Sequence, residues 1–120
     1  GFYEWQATAH GKQPYYIHRK DNSLLAFAGL WEYWEKEHII NSCTIITTTA
    51  NSSIQSIHER MPVIIARENF NAWLDPHNTD TNRLTEILAT CDNKLLEPYR
   101  ISTAVNNPAH DKPELLDRID

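Results

Sequence analysis

Three consecutive side chains in this sequence could move a proton or hold an anion: His58, Glu59 and Arg60. Pro62 follows and blocks any helix from continuing. The apolar residues around it make Met61 to Ala66 read as a short buried strand. Polar groups placed just outside a rigid apolar element are held in position for chemistry. A second acid, Glu4, stands in Gly1-Phe2-Tyr3-Glu4-Trp5, between two aromatic residues. It reads either as an exposed edge residue or as a buried acid whose pKa is raised and which is poised for proton transfer. The expectation is that the two stretches meet, with Glu4 and His58 in one pocket. Arg60 could anchor a phosphate, or pair with Glu59 or another carboxylate as a surface ion pair. Thr47, Thr48 and Thr49, at the end of a strand, could offer hydroxyls to a phosphate.

These groups need elements to carry them. Gly1 to Gln6 reads as a strand, followed by a polar turn from Thr8 to Lys12. Gln13 to Lys20 and Leu24 to Tyr33 read as a strand–turn–strand unit around Asp21-Asn22-Ser23. The second of these is apolar on both alternating sets, which predicts two covered faces. His18, beside that turn, reads as a surface residue. Gly29 suggests a bulge or a close backbone contact, and Glu32 to His38 reads as a loop or edge. Ser42 to Ala50 is a β-branched strand with Cys43 as a small core residue. Asn51 would cap a short helix, Ser52 to Ile57, with Ile54 and Ile57 inward. His58 would follow that helix end, where carbonyls favour imidazolium. Arg60 would oppose this, so the net direction is open.

Phe70, Trp73 and Leu74 give Arg67 to Leu74 helical spacing, ended by Asp75-Pro76. Asp80 can cap Thr81 to Thr90, with Leu84, Ile87 and Leu88 inward and Cys91 extending that apolar face. Glu97 to Val105 returns to strand, and the last residues read as surface. The order predicts an α+β domain, mostly β and barrel-like. A barrel needs more strands than the handful legible here. The missing ones are expected upstream of Gly1.

The 120 residues amount to one domain, with no internal linker. A net charge of -5 argues against a simple electrostatic sleeve for DNA but leaves room for a local basic groove. No apolar run is long enough for a membrane span and no signal segment is legible. The two cysteines, Cys43 and Cys91, form no CxxC, and reduced thiols in a cytosolic protein are the default. The six histidines show no metal-ligand spacing, and no Gly-rich loop or GxSxG is present. Without an initiator Met, the chain reads as a piece of a longer protein.

Gly1-Phe2-Tyr3-Glu4-Trp5, then Cys43-Thr44-Ile45-Ile46-Thr47-Thr48-Thr49-Ala50-Asn51, then Ile57-His58-Glu59-Arg60-Met61-Pro62-Val63-Ile64, resemble the SOS-response-associated peptidase (SRAP) family. Val105-Asn106 with Pro113-Glu114-Leu115-Leu116 resembles that family's C-terminal end. The resemblance runs in order through nearly the whole chain, which would be residues 1–120 of the C-terminal part of a single SRAP-like domain.

The resemblance implies a protein that recognises abasic sites in single-stranded DNA. It implies an N-terminal cysteine whose amine and thiol close to a thiazolidine on the ring-opened sugar, in some members after residues ahead of it are removed. Glu4 would shuttle protons, and His58 would assist and reverse the crosslink. Trp5, Thr47 and Arg60 match DNA-contacting positions. No cofactor, metal or membrane is implied, and a cytoplasmic monomer, bacterial or phage-encoded, is expected. The cysteine and an Asn-containing motif are absent from this chain. Cys43 cannot replace that cysteine, because its amine lies in a peptide bond. The other readings are a non-catalytic single-stranded nucleic-acid-binding module and a truncated remnant that binds nothing.

Overall fold

In the computed structural model, residues 1–89 and 94–120 are described. The strands are β1 (Phe2–Thr8), β2 (Gly11–Arg19), β3 (Gly29–Glu35), β4 (Ile39–Ile45), β5 (Thr47–Thr49), β6 (Arg60–Pro62) and β7 (Leu96–Arg100). The α-helices are α1 (Phe70–Leu74) and α2 (Thr81–Ala89), with 3-10 turns at Arg67–Asn69, Thr103–Asn106 and Pro113–Leu116. The fold is thus mostly β with two short helices. The described strands form three separate sheets and close no barrel. The chain makes two compact units: unit one is Gly1–Leu25, Ala50–Arg60 and Asp92–Asp120, and unit two is Ala26–Thr49 and Met61–Cys91.

Unit one is built on an antiparallel sheet in the order β1-β2-β7. Phe2 pairs with Ile17 and Thr8 with Gly11, leaving Ala9 and His10 as the hairpin loop. Gly11 takes φ 118°, a conformation open to glycine at little cost. The Thr8 hydroxyl locks the loop, donating to the Gly11 carbonyl at 2.7 Å and accepting from the His10 N–H at 3.2 Å. The expected pairing of Gln13–Lys20 with Leu24–Tyr33 does not form. Both edges of β2 are taken, one by β1 and the other by β7. Asp21-Asn22-Ser23 is a corner instead. Asn22 has φ 56°, and the Asp21 carboxylate accepts from Arg19 and from the Ser23 N–H and hydroxyl. Ile17, Ile54, Leu96 and Ile101 are fully buried in this unit.

Gly1 also belongs to this packing. A Cβ at Gly1 would lie 2.5 Å from the Ile17 carbonyl oxygen and 2.5 Å from the Tyr16 ring. The glycine that opens the aromatic motif is therefore required by close approach.

Unit two has its core at Ala28, Val63, Ile65 and Ile87, with Phe70, Trp73, Leu84 and Leu88 packed against it. The helical spacing read from these residues is real. Asp80 caps α2 by accepting the Arg83 N–H at 3.0 Å, and Asp75 ends α1. Thr90 and Cys91, read as the end of that helix and its face, lie outside the described residues. The buried reading of Met61, Val63, Ile64 and Ile65 stands. Regular strand covers only Arg60–Pro62 and an isolated bridge from Ile64 to Phe27. Main-chain bonds join the rest: Ala28 N–H to Val63, Val63 N–H to Ile46, and Ile46 N–H to Ala28.

The β3–β4 hairpin departs from expectation. Every residue of both strands is exposed; of Glu32 to His38, read as a loop or edge, residues 32–35 are edge strand of this two-stranded sheet and residues 36–38 are the bend that joins it to β4. Of Leu24 to Tyr33, Leu25 to Ala28 is half-buried or buried, but Leu24 is 96% exposed and Trp31 79%, so the predicted covered faces are absent from Gly29 onward among the described residues. Alternating apolar residues define two faces, and no described layer packs on either. Cys43 is corrected for the same reason: it is exposed, and is not a core residue. Gly29 makes the expected close backbone contact, since a Cβ there would stand 3.3 Å from the Thr44 carbonyl oxygen.

Candidate functional site

Glu4 is set by the register of β1. It stands opposite Tyr15, and strand alternation puts Phe2, Glu4 and Gln6 on one face and Tyr3 and Trp5 on the other. On the face of Glu4, Gln6 accepts from the Tyr15 hydroxyl at 3.1 Å and donates to the Ser56 carbonyl at 2.7 Å. The second bond ties the strand to the segment that carries His58.

That segment is closed at its base by the Ala50 N–H bonded to the Glu59 carbonyl at 2.9 Å. The helix expected over Ser52–Ile57 is a series of turns. Asn51 does act locally, its side-chain oxygen accepting the Ser53 N–H at 3.0 Å. Bonds from Gln55 to Asn51 and from His58 to Ile54 span four residues, while those from Ile54 to Asn51 and from Ile57 to Ile54 span three. Ile54 and Ile57 point inward as expected and are buried. Each buried isoleucine contributes about 2 kcal/mol, against about 1 kcal/mol for a bond such as Gln6 to Ser56. Packing therefore dominates in placing His58.

The result is a carboxylate beside an imidazole. His58 Nδ1 lies 3.8 Å from Glu4 Oε2, with the side chains 43% and 20% exposed. The other carboxylate oxygen of Glu4 accepts the Trp5 N–H at 3.0 Å. His58 Nδ1 is also 3.1 Å from the Arg60 nitrogen and 3.0 Å from the Arg60 oxygen. These partners belong to different protonation states. Unprotonated, Nδ1 accepts the Arg60 N–H. Protonated, it donates to the Arg60 carbonyl or turns to Glu4. The carbonyl beside the ring is thus that of Arg60, and no helix end is involved. At 3.8 Å the pair is just beyond a direct hydrogen bond, a spacing that one reacting group could bridge.

The other expected site residues are spread out. Arg60 is exposed at the start of β6, and its main chain orients the His58 ring. Trp5 lies on the opposite face of β1 from Glu4. Its indole N–H donates to Asn106 Oδ1 at 2.7 Å, and its ring meets Tyr3 edge-on. Thr47 belongs to unit two and is exposed on β5. His18, read as a surface residue, is half-buried and stacked on Tyr16 with its edge against Tyr99. Arg118 covers Tyr99 and pairs with Glu97, holding the Glu97 carboxyl below its ordinary value. Among the described residues no cluster of three or more His, Cys, Asp or Glu could hold a metal.

Residues 1–108 match the family model described as SOS response associated peptidase (SRAP). The chain belongs to this family. It is 42% identical over 119 residues to the abasic site processing protein YoqW of Bacillus subtilis, covering 97% of this chain and 53% of that protein. It is 33% identical over 138 residues to the abasic site processing protein HMCES of Gallus gallus, covering 97% of this chain and 40% of that protein. A solved protein from Bacteroides thetaiotaomicron shares the fold with a TM-score of 0.82 at 28% identity, covering 99% of this chain and 53% of that one. A phage-related protein from Bordetella bronchiseptica gives a TM-score of 0.66 at 33% identity, over 84% of this chain and 49% of that one. The chain spans about half the length of these bacterial relatives. No described helix is long and apolar enough to cross a membrane.

Proposed function

We propose that residues 1–120 are the later part of a single SRAP domain that captures abasic sites in single-stranded DNA. The observation that carries this is the Glu4–His58 pair, 3.8 Å apart. The relatives' name, abasic site processing protein, supplies the substrate class. The nucleophile is an N-terminal cysteine upstream of Gly1. Its amine adds to the aldehyde of the ring-opened deoxyribose, and loss of water gives an imine. The thiol then adds across the C=N bond and closes a thiazolidine, its proton passing to nitrogen. Glu4 moves protons during ring opening and imine formation. His58 assists those transfers and the reversal. Arg60 contacts the DNA backbone, Trp5 offers a ring for stacking, and the family resemblance assigns a backbone contact to Thr47. Trimming of residues ahead of the cysteine accounts for the peptidase in the family's description. No cofactor enters the scheme, and the protein acts as a cytoplasmic monomer.

The test is adduct formation on an abasic single strand, read on a denaturing gel. The full-length protein should give an adduct that survives denaturation, and residues 1–120 alone should give none. Efficient crosslinking by the 120 residues would rule out the N-terminal-cysteine mechanism. A second reading, a non-catalytic binding module, is favoured by the rings of Tyr3, Tyr16, His18 and Tyr99 gathered on one sheet face. It predicts strand binding with no covalent product even from the full-length protein.

A further inference from the structure

Unit one carries a second polar surface, at the tip of its hairpin. A cleft of about 490 Å³ opens where Thr8 to Gln13 meet Arg100 and Thr103. Its basic lining residues are His10, Lys12 and Arg100, and among the described residues no carboxylate side chain lines it. In a chain of net charge -5, that asymmetry is local. Lys12 forms no salt bridge among the described residues. The Arg100 guanidinium donates to Gln13 Oε1 at 3.1 Å and to the main-chain oxygen of Asp120 at 3.3 Å, so among the described residues its other N–H groups are left to serve a ligand. Gln13 is fixed in turn, its amide donating to the carbonyls of Pro14 at 2.9 Å and Ile101 at 3.0 Å. The fork of Arg100 is therefore held in place before any ligand arrives.

The cleft also has a direction. Gln6, Thr8, Gln13 and Tyr15 share the face of the sheet that carries Glu4, and Arg100 pairs with Tyr15. Thr8 is four residues from Glu4 along β1, roughly 13 Å at the usual strand rise. We propose that this cleft is a phosphate site, holding a backbone phosphodiester of the same single strand whose lesion reaches Glu4 and His58. Lysine serves as a point charge and arginine as an oriented fork, with neutral amides filling the wall. Such a contact fixes register and carries no base specificity.

The identity of the strand rests on the abasic-site reading, and one experiment separates the two. The full-length protein and its Lys12→Gln and Lys12→Gln/Arg100→Gln variants are titrated with intact and abasic single strands over a range of salt. Melting curves check that each variant is folded. The slope of log affinity against log salt should fall by about 0.7 for the single variant and about 1.4 for the double, equally on both strands. Lys12 is at an exposed hairpin, so the single variant keeps the test open if loss of Arg100 disturbs the fold. Unchanged slopes overturn the cleft, whatever the adduct gel shows. A normal slope change in a protein that forms no adduct overturns the capture chemistry and supports the cleft. Lys12-dependent binding of inorganic phosphate, with no Lys12 dependence on either strand, also overturns the proposal and makes the cleft a site for free phosphate.

Discussion

His58 Nδ1 stands 3.8 Å from Glu4 Oε2, although 54 positions separate the two residues in the chain. The same nitrogen is 3.1 Å from the main-chain nitrogen of Arg60 and 3.0 Å from its carbonyl oxygen. Protonation at this atom therefore decides which of three neighbours His58 engages. That geometry is what the proposed proton-transfer role of His58 requires.

The ring is half-exposed and its close partners are main-chain groups two residues away. His58→Ala in the full-length protein should thus cost about 1 kcal/mol of stability or less. The rate of adduct formation or reversal should change by a factor on the order of a hundred. His58→Gln should match Ala in rate, because an amide neither takes up nor releases a proton. Adduct kinetics against pH, with melting curves, check both. A large melting loss with an unaltered rate would make His58 a packing residue and leave Glu4 alone as the acid–base candidate.

Trp5 and Asn106 should be coupled. The bond from the indole N–H to Asn106 Oδ1, at 2.7 Å, joins β1 to the 3-10 turn that follows β7. Urea unfolding of Trp5→Phe, Asn106→Ala and the double variant should give a coupling energy of about 1 kcal/mol. Additive losses would show that the bond contributes nothing.

The two close-packed glycines should differ. At Gly1 an added Cβ meets the Ile17 carbonyl oxygen at 2.5 Å, while at Gly29 it meets the Thr44 carbonyl oxygen at 3.3 Å. Backbone cannot yield as a side chain does. Gly1→Ala should cost about 1–3 kcal/mol, and Gly29→Ala clearly less. Equal urea midpoints for the two variants would contradict this ranking.

Acid should erase the contribution of Glu97. Its hydrogen bond with Arg118 holds the carboxyl below its ordinary value of 4.5. A depressed carboxyl stabilises the fold above its unfolded pKa, and that stability is lost as pH falls through the folded pKa. The melting temperature of Glu97→Gln should lie below that of the parent at pH 7. The gap should close as pH is taken progressively below 4.5. A gap that persists into strong acid would assign the loss to packing around Tyr99.

Much of this site was legible because its residues break a pattern. Glu4 interrupts an aromatic strand, and His58 follows two inward isoleucines. Asp80 with Leu84, Ile87 and Leu88 marked α2 by cap and spacing. The pairing of β2 was not legible. The polar turn read at Thr8 to Lys12 does hold the true loop, Ala9-His10, but Asp21-Asn22-Ser23 also has the composition of a hairpin turn and suggested the wrong partner. Only the distant β7 explains why β2 has no free edge for the next segment. The bond between Trp5 and Asn106 spans the chain and leaves no local signal. Cys43 and its neighbours were misread because alternation describes the faces of a strand and says nothing of what covers them.

The bare β3–β4 ribbon bears on how residues 1–120 behave in a tube. Leu30, Trp31, Tyr33, Trp34, Ile39, Ile40 and Ile45 are all exposed on it, and among the described residues neither strand pairs with a third. Such a ribbon is a template for another copy of itself. Purified alone, these residues should become turbid as concentration rises, and the turbidity should be relieved by charged replacements on the ribbon, such as Trp31→Lys and Ile40→Lys.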